Sequence, residues 1–474
     1  MANFSSKSTL KLEAPSITVT VIVIGALLVG YLLTMLSAVH SFVLVILLLI
    51  FICVFVWPEA GLYVVIFAML FSPEIMGGGI GGKATLDRGL TLRLEDFLLV
   101  FIGLSWFART AVDKTAGLFR KTPLNQPIAA YILACLLATL WGKITGNVQG
   151  KAGFFFVFKY FEYMIVFFMV VNYVETEDQV KRLLFCLLLT CFIVSLYGIL
   201  QIPGGGRVSA PFEGETGEPN TFGGYLVFMG AVAVALLDRL KDTRVRIGLA
   251  ALLVVLLISL LYTQSRASYL AVIPTYLVLS LFSRRRFYLL AGLIIALALS
   301  PLILPRAAKE RIAYTFTQPQ ESGQIRVGKI RFDTSASARI YSWKEGLRAW
   351  RNRPILGHGV TGYGFMDAQY PRILVETGVV GVLAFAWLIN ALFRMGLGTL
   401  REHQDDLLRG LSVGLIAGLV GLLVHAIGAN TFIIVRIMEP FWFLTGMVIA
   451  LSQMREQSLI AHSPEDCRKA SSPR

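Results

Sequence analysis

Residues 306–371 read RAAKERIAYTFTQPQESGQIRVGKIRFDTSASARIYSWKEGLRAWRNRPILGHGVTGYGFMDAQYP, the longest interval of the 474-residue chain without a membrane-length apolar segment. Eleven cations (Arg306, Lys309, Arg311, Arg326, Lys329, Arg331, Arg339, Lys344, Arg348, Arg351, Arg353) stand here against five acids (Glu310, Glu321, Asp333, Glu345, Asp367). On either side of it the chain is almost continuously apolar. Whether this stretch is a loop of a membrane protein, and on which face, decides the fold.

The flanks answer the first question. A hydrophobic fraction of 56%, only 15% charged residues and a mean hydropathy of +0.70 lie far outside the range of soluble globular proteins. The chain is an all-α polytopic membrane protein of about 12–14 transmembrane helices, since a span needs roughly 17–25 residues. Expected cores are 15–37, 41–57, 59–75, 94–108, 125–142, 154–174, 181–201, 222–238, 246–263, 267–283, 287–305, 372–394, 407–427 and 430–452. No cleavable leader is expected, because the first apolar segment is long and another follows directly. The whole of 1–474 reads as one integral membrane domain with 306–371 as its large external loop.

Basic residues in alternate short loops give the orientation. Arg109 to Lys121, Lys181 and Arg182, Arg239 to Arg246, Arg284 to Arg286, Arg394 to Arg409 and the tail all fall on one side, with both termini cytoplasmic. The net charge of +14 is then a matter of topology and gives no reason to invoke nucleic acid. The 306–371 loop breaks the rule. Loops of this length escape the charge bias, but eleven external cations call for an anionic ligand or lipid headgroup.

Within it, Ser335 to Trp350 reads as an amphipathic helix, with Ile340, Trp343, Leu347 and Trp350 on one stripe and Asp333 or Ser335 as cap. Such a helix can lie on the membrane surface with Arg339 and Lys344 at headgroup level. Next comes a glycine-rich segment from Pro354 to Phe365. Two other external segments join it: 202–221, with Arg207, Pro219 and Asn220, and the short turn Thr263-Gln-Ser-Arg266. Arg266 sits in a turn too short to leave the bilayer surface, so it is either a snorkelling anchor or an anion ligand. The couples Lys159/Glu162 and Arg436/Glu439 are each self-paired or part of a polar cavity, and His425 reads as a hydrogen-bonded packing residue. The four cysteines within spans read as packing residues, and no metal-ligating pattern stands out.

The order of these landmarks resembles the O-antigen ligase and polymerase superfamily. The matching residues are Pro219-Asn220, Thr263/Ser265/Arg266, Ser335/Arg339/Trp343, Pro354/Gly357/Gly359 and Glu376-Thr377-Gly378/Gly381. The resemblance implies a bacterial inner-membrane glycosyltransferase with a periplasmic active site, using an undecaprenyl-diphosphate-linked oligosaccharide donor and a glycan or lipid acceptor. It implies no cofactor, no metal and no nucleotide sugar. Arg266, Arg339 and, less closely, Arg207 would hold the diphosphate, with Ser265, Pro219, Asn220, Gly357, Gly359 and Glu376 as loop support. Where the ligase pattern carries histidine, nine residues before Glu376, this chain has Asp367. Asp367 is therefore the candidate base and His358 the alternative, and the departure favours a polymerase, with inversion at the anomeric carbon. A transporter or flippase of lipid-linked saccharides is the competing class. It is disfavoured because no internal repeat is evident and the candidate residues share one face.

Overall fold

A computed structural model describes residues 38–76, 92–112, 119–213, 217–283, 285–328, 330–364 and 366–461. The expected span at 15–37, most of the 76–93 segment and the polar C-terminal tail lie outside the described residues. The helices are α1 (Ala38–Val56), α2 (Pro58–Phe71), α3 (Leu94–Val112), α4 (Asn125–Ile144), α5 (Ala152–Tyr173), α6 (Glu177–Leu200), α7 (Pro219–Arg239) and α8 (Thr243–Tyr262). They continue with α9 (Arg266–Phe282), α10 (Arg286–Ile303), α11 (Arg306–Thr317), α12 (Thr334–Asn352), α13 (Gln369–Glu402), α14 (Asp406–His425) and α15 (Val435–Ala461). Every expected core from 41–57 onward falls on a helix, and the protein is an all-α polytopic membrane protein.

Among the described residues eight helices are long and apolar enough to cross a membrane, or nine if α10 and α11, bent by 85°, count as one more. Two apolar helices are too short to count, α2 with 14 residues and α9 with 17, against a hydrocarbon core about 30 Å thick at about 1.5 Å per residue. α3 carries Glu95, Asp96 and Arg109 and falls outside the apolar class. Two small antiparallel ribbons were not legible in the pattern: Glu74–Met76 against Leu92–Arg93, and Arg326–Val327 against Ile330–Arg331.

Helix starts follow local chemistry. Thr176 and Gln179 form a reciprocal capping box on α6, Asp242 caps α8, Ser265 caps α9, Asp333 caps α12 and Asp405 caps α14. Pro219 opens α7, where a missing N–H costs nothing.

The core is built on close approach of α14 to α7. Gly410, Gly414 and Gly418 recur every fourth residue and face Leu236, Val232 and Phe228. A Cβ at Gly414 would lie 2.7 Å from the Val232 Cα, so the two backbones touch only because the side chain is absent. α9 packs on the other flank of α14, α15 on α5, and α13 on α4. The ends of α7, α8, α9 and α14 are thereby gathered under the 306–371 segment.

Candidate functional site

The site begins at the tight turn between α8 and α9. Gln264 takes φ +50°, which presents the Thr263 carbonyl sideways to Arg207, whose Nε donates to it at 3.0 Å. A second Arg207 nitrogen donates to Asn220 Oδ1 at 3.2 Å. The first turn of α7 and the 202–218 segment are thus tied to the 263–265 turn through one guanidinium.

Arg266, the first residue of α9, reaches into the large loop. Its guanidinium pairs with Asp333 Oδ2 at 2.8 Å and donates to Thr315 Oγ1 at 2.5 Å. Asp333 accepts from the Ala336 N–H with its other oxygen, which starts α12, and its own N–H donates to the Thr315 carbonyl. Asp333, through its carboxylate and its backbone N–H, therefore joins α9, α11 and α12. Arg339 follows in the second turn of α12 and lies 3.8 Å from Asp367 Oδ2. The turn after α14 also meets it, since a Cβ on Gly428 would be 3.4 Å from its Nε.

These side chains form one electrostatic unit. Burial, with Arg311, Arg266 and Arg339 close by, lowers the Arg207 guanidinium to about 10. Burial also lowers Arg339, opposed by the Asp367 carboxylate and reinforced by Arg266. Asp367 is pushed up by burial, with Arg339 working against the shift. Four guanidiniums meeting two carboxylates leave a positive excess, and the buried Nε atoms of Arg311 and Arg339 have no hydrogen-bond partner among the described residues. Buried charged donors without partners are expensive, so an anionic ligand relieves both repulsion and desolvation. Arg311 was hidden among the loop's eleven cations. Its only local signal is its place one turn before Thr315, which becomes informative once Thr315 is seen against Arg266.

The remaining predicted residues divide. Gly357 (φ +66°) and Gly359 (φ +88°) let the 354–361 loop fold back on the start of α13, where the His358 and Gly359 N–H groups donate to the Val375 and Glu376 carbonyls at 2.9 and 2.8 Å. Glu376 accepts from the Thr361 N–H and from Arg372 Nε, both at 3.1 Å. His358 belongs to this support: its Nε2 stands 3.2 Å from the Ala349 carbonyl and its ring packs on Tyr363. Asp367, not His358, stands against a cluster arginine. His425 is fully buried, with Nδ1 2.7 Å from Thr431 Oγ1, the packing role expected of it.

The stripe on α12 is not buried as a core helix would bury it. Ser337, Ser342, Gly346 and Ala349 make the buried face, Gly346 against Pro371, while Trp343 and Leu347 stay exposed. Small residues seat the helix on α13 and leave part of the apolar stripe exposed. One member of each intramembrane couple, Lys159 and Arg436, lines a shared polar cavity. Lys159 pairs with Asp96 and stands 3.8 Å from Glu162. Arg436 stands 3.6 Å from Glu213 and donates to the Pro211 carbonyl at 2.6 Å. Both line a cavity of about 220 Å³ with Glu95 and Phe156. Among the described residues the one group of three possible metal ligands within 4.8 Å, Glu402, His403 and Glu456, lies at the far end of α13 from the arginines.

Fold and site together define a polytopic membrane protein that gathers arginines at one end of its helices. Residues 251–386 match the family model described as O-antigen ligase, which supports the assignment to the O-antigen ligase and polymerase superfamily and, in general terms, glycan transfer. The match runs from α8 into α13 and contains Arg266, Arg311, Asp333, Arg339, Asp367 and Glu376. No curated protein matches the chain.

Proposed function

We propose that the protein is an inverting, metal-independent glycosyltransferase that polymerises glycan from an undecaprenyl-diphosphate-linked oligosaccharide donor. The observation that carries this reading is the arginine cluster beside Asp367, with unpartnered buried donors on Arg311 and Arg339. A diphosphate joining a lipid to a sugar carries a negative charge on each phosphorus, which suits a cluster of guanidiniums in excess over carboxylates. Arginine suits it further because its fork donates in pairs and cannot be neutralised.

In the reaction, an acceptor hydroxyl gives its proton to Asp367 and its oxygen attacks the anomeric carbon from the side opposite the diphosphate. The anomeric C–O bond breaks, and its electron pair leaves on the diphosphate, where Arg207, Arg266, Arg311 and Arg339 stabilise the developing charge. Burial raises Asp367 toward the working pH, which makes it a better proton acceptor than an exposed carboxylate. In a polymerase the acceptor is itself lipid-linked, and the growing chain passes to the incoming unit. The fold is taken as one integral domain in the bacterial inner membrane, termini cytoplasmic, with 306–371 and the site facing the periplasm.

Purified protein supplied with a lipid-linked oligosaccharide should release undecaprenyl diphosphate and lengthen the glycan, with EDTA present. Arg266→Ala and Arg339→Ala should each lower turnover on the order of 100-fold or more, the usual effect of removing a donor to developing charge. Full activity in both variants would sink the diphosphate clamp. Transport of the lipid-linked glycan without elongation would instead favour a flippase.

A further inference from the structure

α13 starts beside Asp367 and, beyond Gly378, continues to Glu402, roughly 36 Å of helix at about 1.5 Å per residue. Its end therefore reaches the membrane face opposite the arginine cluster. There α13 and α15 diverge around a groove of about 600 Å³. Two parallel stripes line it. On α13, Trp387, Arg394 and Glu402 fall seven and eight residues apart, one helix face, and on α15 Ile449 and Glu456 do the same. Each stripe runs from an apolar residue deep in the membrane to a carboxylate at its surface, and Glu402 and Glu456 converge with His403 within 4.8 Å. Lys121 closes the mouth, its carbonyl accepting from Gln453 Nε2 at 3.2 Å. Lys121, Arg394 and Glu402 are exposed and form no ion pair among the described residues.

We propose that this groove holds one phospholipid whose headgroup carries a primary ammonium. The phosphate lies between Lys121 and Arg394, the ammonium between Glu402 and Glu456, and an acyl chain along Trp387 and Ile449. Charge order selects this occupant. Arg394 stands two turns below the helix end, so its guanidinium snorkels to phosphate depth, and the carboxylates stand beyond it, where the ammonium of an ethanolamine headgroup projects. A glycerol headgroup would set neutral hydroxyls against two carboxylates. A metal ion at the acid end would leave both cations and the apolar stripe uncovered.

The test uses the full chain, stripped of lipid in detergent, with phosphatidylethanolamine or phosphatidylglycerol added at equal concentration and retained lipid read by native mass spectrometry. One retained phosphatidylethanolamine per protein is expected, preferred about threefold over phosphatidylglycerol, the size of one exposed ion pair. Arg394→Ala and Lys121→Ala should lose retention of both lipids. Glu402→Gln combined with Glu456→Gln should keep retention and abolish the preference. No retained lipid on the unaltered protein, equal or stronger retention of phosphatidylglycerol, or undiminished retention in Arg394→Ala would overturn the proposal. Binding of Zn²⁺ that displaces the lipid would also overturn it, assigning the acid end to a metal.

Discussion

Asp333 uses its two oxygens for different tasks, one capping α12 and the other pairing with Arg266. The ion pair with Asp333 is a third role for Arg266, beside the snorkelling anchor and the anion ligand expected of it. Asp333→Asn keeps an acceptor for the cap and removes the charge partner. The expected loss is on the order of 2 kcal/mol, below that of a fully buried pair because the Arg266 side chain remains 17% exposed. Thermal unfolding in detergent measures it, and added undecaprenyl diphosphate should narrow the gap by supplying a new anion. Asp367 makes a prediction about pH. A general base must be anionic, and burial raises this carboxyl above its ordinary value of 3.8, so kcat/KM should fall as pH drops through that raised value. Asp367→Asn should lower the rate on the order of 100-fold and erase this acid limb. An unchanged profile in the variant would remove Asp367 from the role.

Among the elements, the break in α13 matters most. Gly378 takes φ +62° and ψ −162° inside a run of otherwise helical residues, and the Val379 and Val380 N–H groups donate to the Pro354 and Ile355 carbonyls at 2.9 and 3.2 Å. The glycine loop is thereby stapled to the helix at the point where the helix bends. A Cβ here would be 2.8 Å from the Gly357 nitrogen and would strain the positive φ. Gly378→Ala should destabilise by roughly 1–2 kcal/mol or more, seen as a lower melting temperature, and should lower turnover by displacing Asp367. α12 teaches the other lesson at this scale. Its periodicity identified the helix and its apolar stripe, but the face that docks is Ser342, Gly346 and Ala349, because small residues permit the closer approach.

At the scale of the whole molecule, the arginine cluster and the Glu402 groove lie at opposite ends of α13, which gives the proposed orientation a direct test. In a cysteine-free background, a cysteine at exposed Gln320 should react with a membrane-impermeant maleimide added to intact cells, whereas one at exposed Glu402 should react only after permeabilisation. The reverse pattern would place the cluster in the cytoplasm and defeat the proposed donor.

By itself the sequence determined that the chain is a membrane protein, roughly where most of the described helices lie, and that 306–371 carries a cationic excess. Those properties are local: apolar length, capping side chains and charge density are written residue by residue. What only the tertiary structure decided is which charges meet. Arg207, Arg266, Arg311 and Arg339 come from four segments, and nothing in their spacing brings them together. The close approach of α14 to α7 at Gly414, the fold of α11 and α12 over the α8–α9 turn through Asp333, and the bend at Gly378 do so. The same contacts separated Asp367 from His358, nine residues apart in one loop, by setting one against Arg339 and the other against the Ala349 carbonyl. Long-range packing carries that information, because a guanidinium's partner depends on which helices can touch, and that depends on side chains absent at distant glycines.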